Sequence, residues 1–147
     1  MTDEEAKDRL AIQNLLARAT QAGDRRRADD YATCFTEDGV LALEDAAHAG
    51  REAIRAFMGG AQLVNTPPPA GAPPSFIAHN LTTSAVEFTC GTEAEARTYW
   101  IVMSATGPDH SGFYVDRLRK VDGEWLLAHR KPRTLWFSET SVVRSKS

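Results

Sequence analysis

Two runs of alternating apolar residues, GFYVDRLRKV (112–121) and EWLLAHRKPRTLWF (124–137), are separated only by Asp122-Gly123. An Asp-Gly pair in that setting is the strongest short-range signal for a two-residue β-hairpin, because both turn positions need a left-handed backbone. Such a turn also sets the register: Val121 faces Glu124, and the numbers of paired residues sum to a constant. Leu118 then faces Leu127, and Asp116 faces His129, with directly opposed Cβ atoms about 4.5–5.5 Å apart. Trp125, Leu118 and Leu127 mark the core face of the hairpin. Asp116, His129 and Tyr114 fall on that face, as an acid/base pair or as polar groups lining a pocket. A buried carboxylate–imidazole bond that simply ties two strands together would leave the same trace in the sequence.

Residues 76–90 and 93–106 read as two more strands, with turns at Gly91-Thr92 and Gly107-Pro108. The first half of the chain has the other period. Thr2 and Glu5 form a capping-box pattern, and Leu10, Ile12, Leu15, Leu16 and Ala19 recur at helical spacing to about Gln21. Gly23 reads as the stop of this helix. ADDYATCF fits a second helix, Asp38-Gly39 a turn into the short strand VLALE, and REAIRAFM a third, amphipathic helix ended by Gly59-Gly60. The segment TPPPAGAPP (66–74) cannot be helix or central strand; it reads as a lid over a pocket or as a passive spacer. The expectation is one α+β domain over residues 1–137 with a polar, frayed tail from Ser138. About three helices cover one face of a strongly bent antiparallel sheet, and the resulting cone encloses a space of the kind small molecules occupy.

Bulk properties narrow the function. The 147 residues carry a net charge of −3, with 42% hydrophobic and 25% charged residues, values ordinary for a globular chain. The arginines of DRRRADD are interleaved with acids and make no basic stripe for nucleic acid. No apolar run approaches the roughly 20 residues of a membrane span. The polar, acidic opening MTDEEAKDRL does not read as a secretory leader, and Cys34 and Cys90 read as free thiols, so a cytoplasmic location is expected. No histidine or cysteine spacing suits a metal, His48 and His110 reading as loop and turn residues. Phosphate-loop and nucleophile-elbow motifs are missing too. The expectation is chemistry without metal or cofactor.

One histidine stands out. In FIAHNLTTSAVEF (76–88), strand alternation puts His79 on the same face as Ile77 and Leu81. An imidazole on an apolar face is either a satisfied core residue or a reacting group. Asp24, just after Gly23, reads locally as a cap or turn residue.

Four stretches together carry a family resemblance: AIQNLLARATQAGDRRRADDYATCFTEDGVL, GREAIRAFM, FIAHNLTTSAVEF and GFYVDRLRKVDGEWLLAHRK. Over about residues 8–136 the chain resembles the SnoaL-like branch of the nuclear transport factor 2-like superfamily, whose fold is an α+β cone. The resemblance implies activities such as those of scytalone dehydratase, ketosteroid isomerase, polyketide cyclases and dehydrochlorinases. Several members pair an aspartate after the first helix with a histidine on the first long strand. AGDRR puts Asp24 at the aspartate position, and AHNLTTSAVEF puts His79 at the histidine position. The implied reaction is a cofactor-independent lyase or isomerase step on a small hydrophobic cyclic molecule. His79 would be the base, Asp24 its orienting partner, and Tyr31, Phe57, Trp100, Tyr114, Asp116 and His129 the pocket. Where phenol-assisted members carry a tyrosine beside the first-helix motif, this chain has Thr20 and Gly23; Tyr31 and Tyr114 are the phenols that could take its place. Assembly as a homodimer or homotrimer is expected. The same cone could instead serve as a non-catalytic domain for hydrophobic ligands or dimerisation, or as the small subunit of a ring-hydroxylating dioxygenase.

Overall fold

A computed structural model describes residues 1–60, 70–71 and 76–143. The Pro-rich segment 66–74, read as lid or spacer, falls almost wholly outside the described residues. Helices α1 (Asp3–Asp24), α2 (Ala28–Thr33) and α3 (Arg51–Gly60) pack on one face of a six-stranded sheet. Its strands are β1 (Phe35–Ala42), β2 (Ala47–Ala49), β3 (Ile77–Cys90), β4 (Glu93–Ser104), β5 (Gly107–Val121) and β6 (Glu124–Phe137). They lie in the order β2-β1-β6-β5-β4-β3, leaving β2 and β3 as edges. The expected α+β class holds. The antiparallel meander holds for β3 to β6, but β1 lies parallel to β6 and makes the sheet mixed.

The capping box opens α1 as anticipated: the Thr2 hydroxyl accepts the Glu5 N–H at 3.1 Å, and the Glu5 carboxylate accepts the Thr2 N–H. Ile12, Leu15, Leu16, Ala19 and Ala22 form the buried stripe, while Leu10 faces solvent. Asp8 fastens this helix to the sheet. Its Oδ1 accepts the Trp125 indole N–H at 2.9 Å and a bond from Lys120 Nζ at 3.0 Å. The Trp125 bond foremost, opposed by burial and aided by Lys120, holds the carboxyl below its ordinary value.

Three local readings need correction. Helix α1 does not stop before Gly23 but runs to Asp24. The Arg27 N–H reaches back to Ala22 O at 2.9 Å and the Arg26 N–H to Gly23 O at 3.1 Å. That is a Schellman termination whose left-handed position belongs to Arg26, with φ 55°. Strand β1 continues through Asp38-Gly39, where the register slips, rather than turning there. The turn before β5 falls on residues 105–106, and Gly107 and His110 belong to the strand.

The β5–β6 hairpin is built as the Asp-Gly turn dictates. Asp122 and Gly123 both have positive φ, at 50° and 82°, and Val121 pairs with Glu124 and Leu118 with Leu127. Beyond that pair a bulge at Ala128 shifts the register by one. Asp116 therefore pairs with Arg130, and His129 with Arg117. A second slip lies between Ser111 and Gly112, where the backbone packs tightly. A Cβ on Gly112 would lie 2.0 Å from Arg133 O and 2.6 Å from Trp100 Cζ2. Glycine here lets the Trp100 ring approach the β5 backbone closely. Gly112→Ala is accordingly expected to cost roughly 2–4 kcal/mol by overpacking against backbone. Chemical denaturation checks this; an unchanged midpoint would remove the close approach from the account.

Candidate functional site

The termination of α1 puts Asp24 at the last helical position, facing the sheet's edge strand β3. An edge strand has backbone groups without a strand partner, and Asp24 uses one of them. Its Oδ2 accepts the backbone N–H of His79 at 2.8 Å, while its Oδ1 lies 2.6 Å from Nδ1 of the same residue's ring. One carboxylate thus fixes both the strand and the imidazole. With Nδ1–H donating to Asp24, Nε2 is the nitrogen that carries the free lone pair. Both side chains are mostly covered, with relative exposures of 16% for Asp24 and 25% for His79.

Asp24 and His79 border a cavity of about 110 Å³ between the helices and the sheet. Ala19, Met58 and Ile77 supply apolar wall, and Tyr31, Tyr114 and Arg130 supply polar groups. Arg130 is held by Asp116 through a bidentate pair, Nε to Oδ1 at 2.9 Å and Nη2 to Oδ2 at 2.8 Å. These two side chains are 2% and 0% exposed. The guanidinium carbon also stacks 3.9 Å from the centre of the Tyr114 ring. Burial opposes the Arg130 charge, but the charge of Asp116 and its hydrogen bonds outweigh it and raise the pKa above the usual arginine value. Burial also pushes the Tyr31 and Tyr114 phenols well up, with Arg130 pulling the other way. Both therefore stay protonated.

The expected site residues divide cleanly. Asp24, His79, Tyr31 and Tyr114 meet at the cavity. Asp116 lies one step behind it, bound to Arg130. The Asp116–His129 pair does not form, because the Ala128 bulge carries His129 to the other face of β6 and brings Arg130 inward. Phe57 is no wall of this cavity; its ring stacks on His48 of β2, centroids 4.3 Å apart. Trp100 is buried beside His79, centroids 5.9 Å apart, without lining the cavity.

Sequence reasoning missed three polar groups at or beside the cavity, Arg26, Arg130 and His110. Arg130 escaped because an arginine is not counted as an inward residue, and only the slip in register makes it one. A buried carboxylate at Asp116 was the clue that a cation had to be near. His110 escaped because Gly107-Pro108 reads as a turn. Its Nδ1 lies 2.7 Å from Asp109 Oδ2, and its ring centroid is 6.3 Å from that of His79. Asp109 also accepts from the Ser141 hydroxyl at 2.6 Å and the Val142 N–H at 2.8 Å, so the start of the polar tail is tied down rather than frayed. Among the described residues, no three His, Cys, Asp or Glu side chains converge as a metal would need, and no helix is long and apolar enough to cross a membrane.

Comparison with known proteins agrees with this architecture. The sequence model of the SnoaL-like domain matches residues 4–131. Among solved structures, a Mycobacterium tuberculosis protein of unknown function is 30% identical, covering 97% of this chain and 80% of its own, with a TM-score of 0.76. A candidate scytalone dehydratase from Novosphingobium aromaticivorans is 21% identical, with 99% and 100% coverage and a TM-score of 0.78. A hexachlorocyclohexane dehydrochlorinase from Novosphingobium barchaimii is 16% identical, with 92% and 91% coverage and a TM-score of 0.76. At the last two identities the likeness is one of fold. No curated protein sequence matches the chain.

Two expectations follow from the electrostatics. Asp116→Leu strands the buried Arg130 charge and should cost about 3–5 kcal/mol, much of it recovered in the Asp116→Leu/Arg130→Met double variant; urea titration of the three proteins measures both. The second concerns pH. Burial first, then neighbouring cationic charge, lowers the pKa of His129 below 6.5; burial lowers that of His110 against the pull of Asp109. The unfolded chain therefore takes up protons first, and stability falls as pH drops from 6.5 through the folded values. The urea midpoint should be lower at pH 5.5 than at pH 7.5, and the difference should shrink in a His110→Asn/His129→Gln variant.

Proposed function

The chain belongs to the SnoaL-like domain family, within the nuclear transport factor 2-like superfamily, and on that premise we propose that it is a cofactor-independent acid/base lyase or isomerase for a small ring molecule. The carrying observation is the double grip of Asp24 on the ring and backbone of His79 at the edge of a cavity.

The chemistry follows from that grip. Nε2 of His79 takes a proton from carbon next to an electron-withdrawing group. The C–H electron pair either forms a new C=C bond as a leaving group departs on the adjacent carbon, or moves onto a carbonyl oxygen as an enolate. The imidazolium that forms is stabilised by Asp24, and its proton returns to another carbon or to the departing group. Tyr31 and Tyr114 are neutral donors suited to an oxygen that gains charge, and the Arg130 charge behind them favours that charge. The ring body would lie on Ala19, Met58 and Ile77. The names of two structural neighbours, a dehydratase and a dehydrochlorinase, have elimination in common, which supports the lyase branch.

The test is turnover of a panel of cyclic β-hydroxyketones and β,γ-unsaturated ring ketones, followed by ultraviolet absorbance of the conjugated enones, and of halogenated cyclohexanes, followed by halide release. His79→Ala should lower kcat by about 10²–10⁴-fold, with Tyr31→Phe and Tyr114→Phe showing smaller losses. Undiminished turnover in His79→Ala would remove the dyad from the mechanism. Ring compounds that bind the wild type but are never converted would replace the enzyme with a ligand-binding domain.

A further inference from the structure

Arg26 lines the same cavity as Asp24 and His79, on the helical side. Its backbone is in the left-handed region, φ 55°, at the one position of the α1 termination where glycine is the usual occupant. A side chain there is strained, because Cβ crowds the following carbonyl, and such strain persists where the rest of the structure or the function requires the residue. The side chain itself is poorly satisfied. Among the described residues its one hydrogen bond runs from Nη1 to the Met58 thioether sulfur at 3.5 Å, a weak acceptor for a guanidinium that carries five N–H donors. The nearest carboxylate in sequence, Asp24, has both oxygens engaged by His79. The other cation on the cavity, Arg130, is matched in a bidentate pair by Asp116. The flanking Arg25 and Arg27 border a different groove, shared with Arg18. Among the described residues the cavity therefore carries one cation without an anionic partner, held there by a backbone conformation that disfavours any side chain.

We propose that Arg26 is an anion-binding residue of this cavity and that the ring molecule it receives carries a carboxylate or a similarly compact anionic group. A guanidinium recognises a carboxylate by two parallel N–H···O bonds and so fixes orientation as well as charge. Seated on Arg26, the anionic end lies toward the end of α1 and the remainder of the ring extends toward His79 and Tyr114. This deepens the proposed function by naming the substrate class, and it rests on that reading only in placing the substrate in the same cavity.

The experiment is equilibrium binding of benzoate and benzamide, two planar rings of similar size that differ in charge, at pH 7.5 by calorimetry or NMR titration. The wild type should bind benzoate about tenfold tighter than benzamide. Arg26→Gln and Arg26→Gly should bring benzoate down to the benzamide affinity and leave benzamide unchanged, and Arg26→Lys should keep part of the preference. Arg26→Gly also controls for folding, since glycine suits the left-handed backbone and should hold the melting temperature at or above that of the wild type. Equal affinities for the two rings in the wild type, no binding of either, or a benzoate preference that survives in Arg26→Gly would each overturn the proposal. Binding is read without turnover, so a dyad that proves inactive leaves this result standing, and a failed charge preference leaves the His79 assays standing.

Discussion

The carboxylate of Asp24 is the joint between the two halves of the molecule. The helical layer and the sheet meet along apolar surface, which is non-directional and fixes no side chain to better than a rotamer. The two bonds from Asp24 to His79 are directional and short. They require α1 to end where it does, because one residue more or less rotates the last helical position by about 100° and swings the carboxylate away from β3. That ending is set by the Ala22–Arg27 and Gly23–Arg26 hydrogen bonds, and the far end of the same helix is held by Asp8 on Trp125 and Lys120. A helix fixed at both ends delivers an acid to an edge strand whose N–H is free to receive it.

A second constraint lies behind the first. Burying the Asp116–Arg130 pair is expensive, and a well-packed apolar pair of similar volume would fill the same space at no greater cost. Its contribution here is electrostatic. It places a fixed positive group against the Tyr114 ring and beside Tyr31 without leaving net charge in the core. The two phenols stay protonated because they are buried, and of the charges around them Arg130 favours negative charge while Asp116 opposes it. For the proposed reaction the phenols matter as donors that need no reorganisation as charge develops.

The fold was legible in the sequence because it follows from periodicity, and periodicity survives small errors. The helical stripe of Ile12, Leu15, Leu16 and Ala19, the turn at Asp122-Gly123 and the alternation through Leu118 and Leu127 all stand in the structure. The site was half legible. Asp24, His79 and Tyr31 were reached with the family resemblance, and Tyr114 through its place on the inward face of the hairpin. What failed was arithmetic carried past Leu127. A bulge adds one residue, and in a strand of period 2 one residue exchanges the inner and outer faces. His129 and Arg130 changed places for that reason alone, and nothing in the composition of HRKP marks Ala128 as the extra residue. The helix end failed similarly: Gly23 carries the residue type of a termination, but the hydrogen bonds put the termination at Arg26.

The second histidine shows how far the site extends beyond the cavity. His110 sits within van der Waals range of the Trp100 ring and close to His79, and its neighbour Asp109 is tied to Ser141 and Val142. Two imidazoles this close cannot both carry a proton without cost, and the charge of His79 is one of the influences that depress His110. In the proposed reaction, in which His79 takes up the proton, a neutral His110 leaves the new imidazolium without a second cation beside it. Burial of His110 favours its neutral form against the pull of Asp109, which Ser141 and Val142 hold in place. The polar end of the sequence, which carries no periodic signal, thus reaches the imidazole beside the dyad through Asp109.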